Sequence, residues 1–176
     1  MIIEIVEGLT KQKKNAWRSN RNFRTVGMEK RKSWGYCIME DYIVNRVHEL
    51  YWNNNINCAR TAIICLSELF ETVVEPQTIW SAIGMHGAGG YRAQCGLVEG
   101  TLMFIGIYFH ILGKTEDEAV SACYNFASAF DRKFGSLRCL ELRPAGFSES
   151  GPPHMCENLT CNGIEFAYQY LLEITK

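Results

Sequence analysis

Apolar residues recur at helical three- and four-residue spacing in one segment after another of this 176-residue chain, and no segment of the body shows the alternation of a half-buried strand. Ile43, Val47, Leu50 and Tyr51 mark a first amphipathic helix, and Cys58 to Phe70 a second, with Asn57 placed as its cap. A short helix is expected from Pro76 to Ile83, because proline suits a first helical turn. Leu97 to Leu112 reads as a long apolar helix carrying Gly100 and Gly106, where another helix can pack close. Thr115 and Glu118 have capping-box spacing and open a helix that runs through Phe126 and Phe130 and is closed by Phe134-Gly135-Ser136. Gly163 to Ile174 is the last helix. The breaks are as marked as the helices: four glycines between Gly84 and Gly90, and Pro144, Pro152 and Pro153 between Arg138 and Pro153. The expected fold is all-α, a bundle of about five or six helices with a glycine-rich loop and an irregular Pro/Gly segment before the last helix.

Length fits one domain large enough to form its own core without disulfides. Residues 1 to 35 hold nine Lys or Arg against three Glu, and the remainder nine against sixteen, so the two parts carry about +6 and −7. Residues 1–38 are therefore expected to be a basic arm, partly disordered or docked on the acidic domain 39–176. Trp17, Phe23 and Trp34 would let such an arm touch an anionic surface, but nucleic acid is not expected, since no helix-turn-helix or finger pattern accompanies it. Met1 to Gly8 does not read as a signal peptide, and Leu97 to Gly113, interrupted by Glu99 and His110, is too short for a membrane span. A cytoplasmic, reducing setting without a membrane is the expectation.

The chain has 8 Cys and no Cys-x-x-Cys pair. Four thiols stand at segment ends: Cys58, Cys95, Cys139 and Cys161. Cys58 and Cys65 are about 10.5 Å apart along one helix, too far for a disulfide. Cys65 and Cys123 read as small core residues, and Cys37 belongs to the arm boundary. Cys58 and Cys95 each begin a helix, where the helix dipole is expected to favour the thiolate and lower its pKa. Around them, His86 is a candidate ligand or proton donor to Cys95, or a loop histidine satisfied by water. Glu99, at i+4 from Cys95, either governs its protonation or is solvated. His154 is a weaker candidate of the same kind, and the helical His48 and His110 are read as structural. The glycine loop lacks the Gly-Lys-Ser/Thr ending of a P-loop.

Taken in order, these residues resemble the redox-active protein family named for its cysteine pattern, C_GCAxxG_C_C. Asn57-Cys58-Ala59 matches the opening Asn-Cys-Ala, and Cys95-Gly96-Leu97-Val98-Glu99-Gly100 resembles the central motif, with Gln94 in place of its first Gly and Gly96 in place of its Ala. Phe134-Gly135-Ser136-x-x-Cys139-x-x-Leu142 is similar to the third, and Cys161-x-x-Ile164-x-x-Ala167 to the closing Cys and helix. Cys161 is preferred to Cys156 because the apolar helix begins at the expected offset from it. From their places at helix starts Cys58 and Cys95 are the expected reactive pair, and Gly89, Gly90 and Gly96, from the glycine-dense stretch, are expected as backbone beside a cofactor; the resemblance implies Cys58, Cys95, Cys139 and Cys161 as sulfur ligands. A similar domain occurs in split-Soret cytochromes, which implies an iron–sulfur cluster; no heme motif is present.

Two classes of function follow. In the first, the four cysteines perform electron transfer or thiol–disulfide chemistry with a redox partner protein, with or without the cluster. In the second, a non-catalytic module binds zinc or a partner. The glycine-bearing helix from Leu97 leaves room for a homodimer.

Overall fold

The computed structural model describes residues 39–143 and 154–176, and the basic arm, Cys37 and the Pro/Gly stretch of residues 144–153 lie outside them. The chain divides between Tyr42 and Ile43, and the second unit, Ile43–Lys176, carries all that follows. It is all-α. Its principal helices are α1, which within this unit runs over 43–48 and is closed by a π-helical turn at Glu49–Asn53, then α2 (Cys58–Leu69), α3 (Pro76–Ser81), α4 (Gly96–Ile111), α5 (Glu116–Phe134) and α6 (Glu157–Ile174). Among the described residues the one β feature is an isolated antiparallel bridge between Gln94 and Arg138. No helix of the described residues is long and apolar enough to cross a membrane.

The helix ends follow from local chemistry. Asn57 caps α2 by accepting the Arg60 N–H at 3.0 Å. Thr115 accepts the Glu118 N–H while the Glu118 carboxylate accepts the Thr115 N–H at 2.8 Å, completing the capping box of α5. Gly135 ends that helix with φ of 87°. Two boundaries differ from the sequence expectation. Helix α6 starts at Glu157 rather than Gly163, because its inward row continues back as Thr160, Gly163, Ile164, Ala167 and Leu171, two members of which are not apolar. Within the stretch expected to be irregular, Cys139–Leu142 forms a single helical turn, steadied by Ser136, whose hydroxyl accepts the Arg138 N–H at 2.9 Å and bonds the Glu141 carboxylate.

Helices α2 and α4 pack at unusually short range. A Cβ on Gly100 would run into the Ala59 carbonyl oxygen and lie 2.9 Å from its carbon. Leu97 of α4 likewise fills the space that a side chain on Gly163 of α6 would need. Ile63 and Leu66 of α2, Phe104 and Ile105 of α4, Phe126 and Phe130 of α5, and Ile164 and Leu171 of α6 are fully buried around these contacts. On the outer side, Arg46 of α1 is only 4% exposed and fixes α1 to α2 through paired bonds to Glu68 at 3.1 and 2.8 Å and a third to Glu49 at 2.7 Å. Gly100→Ala should therefore lose about 2 to 3 kcal/mol of stability, as overpacked cores do. Gly106→Ala, with nothing within 4 Å of its Cβ, should be neutral or gain up to about 1 kcal/mol of helix propensity. Urea denaturation of the two variants distinguishes these outcomes.

Candidate functional site

Cys58 is the first residue of α2. Besides capping that helix, Asn57 donates from its amide to the carbonyls of Ala82 and Ile83 at 3.1 and 2.6 Å, so the helix start is tied to the turn after α3. The next residues of that turn carry the Met85 carbonyl against Gly96. A Cβ there would meet that oxygen and lie 2.7 Å from the Cys58 sulfur. The absence of a side chain at position 96 is what lets the Cys58 thiol reach the start of α4, whose cap residue is Cys95.

A short two-stranded clamp brings in Cys139. The Cys95 N–H donates to the Leu137 carbonyl at 2.8 Å and the Cys139 N–H to the Ala93 carbonyl at 2.7 Å, flanking the Gln94–Arg138 bridge on both sides. Successive side chains in such a bridge alternate faces, so Gln94 and Arg138 share one face while Cys95 and Cys139 share the other. Gly87 closes over this face. Its φ of +65° suits glycine, and a Cβ added to it would lie 3.1 Å from the Cys139 sulfur.

The fourth thiol comes from the start of α6. Cys156 precedes its first residue, and the Thr160 N–H donates to the Cys156 carbonyl at 2.8 Å. Cys156 and Thr160 are four apart and share a face, and Thr160 is buried there with its hydroxyl 2.7 Å from that of Tyr51. Cys161 is five residues from Cys156, which rotates it by about 140° around the helix. The electrostatics sort the thiols in the same way. Burial pushes the Cys58 thiol up to about 12, with Cys95, Cys156 and Cys139 adding repulsion to its charged form. Burial raises Cys95 to about 11, opposed by N–H groups of Leu97 and Val98 and reinforced by Cys139 and Cys156. Cys156 is raised by burial and by Cys139, and Arg143 pulls both of these back down. For Cys161, raised to about 11, the causes are burial and the Glu157 carboxylate.

Each of Cys58, Cys95, Cys139 and Cys156 thus lies near enough to another of the four to weigh on its charged form. Cys161 answers to a different neighbourhood. The offset that favoured it assumed a helix beginning after it, whereas α6 begins at Glu157 and places Cys161 inside. The expectation of lowered thiol pKa values at the two helix starts is not met. Raising Cys58 from 9.0 to about 12 corresponds to roughly 4 kcal/mol against the thiolate, whereas a helix terminus supplies about 0.3 to 1 kcal/mol in its favour. Burial wins.

Of the other expected site residues, Gly96 lies against Cys58, but Gly89 and Gly90 have nothing within 4 Å of their Cβ positions and line no sulfur. They turn the chain at φ of 67° and 89° instead. The His86 ring is near the Ile83 carbonyl at 3.2 Å and the Asn57 amide at 3.4 Å. Glu99 is placed by its helix, its N–H donating to the Cys95 carbonyl at 3.1 Å. The His154 ring packs 5.0 Å from both Tyr51 and Trp52, and His48 bonds Glu157 at 2.8 Å. Cys65 is fully buried in the core, and Cys123 points to the Leu102 carbonyl at 3.8 Å. Among the described residues all the cysteines are thiols, and no three His, Cys, Asp or Glu side chains stand in a geometry that would hold a metal ion. Sequence reasoning missed the contact of Gly87 with Cys139 and the π-helical setting of Tyr51. The π-helical turn that buries Tyr51 has no sequence signal of its own, whereas Gly87 was visible as one of the clustered glycines.

Because folding raises these thiol pKa values, their protons stabilise the native state fully below about pH 9, and that contribution drains away as pH rises from 9.0 towards about 12. The unfolding free energy of the reduced, metal-free protein, from urea denaturation, should fall steadily above about pH 9, by up to about 1.4 kcal/mol per pH unit per thiol, and Cys58→Ala should flatten the fall. No curated protein and no solved structure matches the chain. A family model does, the one described as "Putative redox-active protein (C_GCAxxG_C_C)", over residues 56–170, more than half of the chain. The matched span starts just before Cys58 and ends within α6, so it contains Cys58, Cys95, Cys139, Cys156 and Cys161, and the chain belongs to the C_GCAxxG_C_C family.

Proposed function

We propose that Cys58, Cys95, Cys139 and Cys156 hold an iron–sulfur cluster and that the protein transfers electrons through it. The observation that carries this reading is that Cys58 starts a helix packed on the one that Cys95 caps, with bare Gly96 beside the Cys58 sulfur, while the backbone clamp sets Cys139 on the same face as Cys95. Such a set is comfortable as neutral thiols, or as thiolates around a cation that neutralises them. The donor chemistry fits a soft metal centre, since four sulfurs and no carboxylate make up the group. The sulfurs do not stand at metal-holding distances in the present geometry, so loading would require them to close up. When bound, the cluster supplies one-electron chemistry. The chain's own part is to bring the ligands together from three helix starts and a helical turn, with Arg143 as a positive charge beside Cys139 and Cys156.

A second reading rests on Cys95 being the charged neighbour that weighs most on Cys58, as a dithiol pair would require. It is the weaker one. With thiols raised to about 12 and about 11, the thiolate fraction at neutral pH is on the order of 10⁻⁵ to 10⁻⁴, too small for rapid exchange. A structural zinc site would use the same ligands without redox activity.

Anaerobic purification followed by iron, zinc and acid-labile sulfide analysis tests the proposal. Iron with sulfide and visible charge-transfer absorption is expected, lost in single Ala variants of Cys58, Cys95, Cys139 and Cys156 and retained in Cys161→Ala. Stoichiometric zinc, or metal-free protein that forms a disulfide between Cys58 and Cys95 on mild oxidation, would replace this reading.

A further inference from the structure

The clamp that carries Cys95 and Cys139 on one face has a second face, on the side of Gln94 and Arg138. Beside it the Leu140 N–H donates to the Arg92 carbonyl at 3.2 Å, which brings the Tyr91–Arg92 and Arg138–Leu140 stretches together. Tyr91 is 85% exposed and Leu140 45%, and Arg92 and Arg138 are exposed with them. The loop leading into this surface is strained. Ala88 and Arg92 stand in the left-handed region at φ of 55° and 72°, which is costly for residues other than glycine, and such strain collects at functional sites.

Charge sets this face apart from the rest of the molecule. Residues 91–94 and 137–143 hold Arg92, Arg138 and Arg143 against one acid, Glu141, whose carboxylate is turned back onto the Ser136 hydroxyl and Arg138. From residue 36 onward the chain carries nine Lys or Arg against sixteen Asp or Glu. A positive patch around two exposed apolar side chains, on an otherwise acidic body, is complementary to an acidic surface. Cys139 lies between Arg138 and Leu140 and is half-buried, so this is where a sulfur comes close to solvent. Electron transfer weakens steeply with distance, and a carrier gains by docking at such a point.

We propose that this face is the docking site of an acidic one-electron carrier protein, which exchanges a single electron with the sulfur-held centre behind it. One electron leaves the reduced carrier and enters the oxidised centre, and no bond is made or broken. The inference deepens the proposed function and rests on it for the electron, though not for the encounter. Encounters of this kind bury less than about 1,200 Å² in total, which suits so small a patch.

The test uses the full chain as purified and two probes, a plant-type ferredoxin as the acidic carrier and cytochrome c as a basic one. Calorimetric titration should show ferredoxin binding more tightly than cytochrome c, with an affinity that falls about tenfold between about 0.05 and 0.5 M salt. In the double variant Arg92→Asn, Arg138→Gln, in which asparagine suits the φ of 72°, that affinity should fall about tenfold and lose part of its salt dependence. Tyr91→Ala should weaken binding and leave the salt dependence as it is. Tighter binding of cytochrome c, or ferredoxin binding that survives the double variant because it uses the basic arm, would overturn the proposal. In protein that carries iron and sulfide, reduced ferredoxin should pass its electron to the centre at a second-order rate about tenfold lower in the double variant, and an unchanged rate would contradict the docking face. Protein that binds ferredoxin through these residues yet holds no redox-active metal would overturn the cluster reading alone.

Discussion

The close approach of α2 to α4 is the contact on which the site depends. Gly96 and Gly100 present bare backbone to the Met85 carbonyl, the Cys58 sulfur and the Ala59 carbonyl, and any side chain at either position would push the helices apart. Because Cys58 starts one of these helices and Cys95 caps the other, packing between helices and convergence of sulfurs are one constraint. Asn57 reinforces it from outside by capping α2 and holding the turn after α3 with the same side chain.

Onto this pair the rest of the site is added by hydrogen bonds rather than by core packing. The backbone clamp between residues 93–95 and 137–139 sets Cys139 on the same face as Cys95, and the Tyr51–Thr160 contact sets the start of α6, and with it Cys156, against the turn that ends α1. Each attachment is local and directional, and each holds one sulfur. Burial then decides the chemistry of the sulfurs. A thiolate in this interior is costly, so the group either keeps its protons or gives them up to a cation.

Much of this was legible in the sequence. Helical spacing, the Asn57 cap, the Thr115–Glu118 box and the Gly135 stop give the elements, because each of those signals acts through neighbouring residues. Cys58, Cys95 and Cys139 were legible as thiols at segment ends. Cys156 as a segment-end thiol was not, because that required knowing where α6 begins, and Thr160 and Gly163 break the apolar row that would have shown it. The thiol pKa values were misread for a related reason. A helix start is visible in sequence, but the depth at which it is buried is a property of the packed whole, and here burial outweighs the dipole. Gly89 and Gly90 illustrate the limit from the other side, since their spacing stood out while Gly87, two residues before Gly89, is the glycine of that loop that lies against a sulfur.

The central claim is that Cys58, Cys95, Cys139 and Cys156 act as one group and Cys161 does not. Differential alkylation measures this directly, comparing anaerobically isolated protein with the same protein stripped by a chelator and mapping each modified cysteine by mass. The account predicts that stripping exposes those four thiols together while labelling of Cys161 stays the same. Protection of Cys161 with Cys156 freely labelled, or four thiols that respond independently of one another, would contradict it.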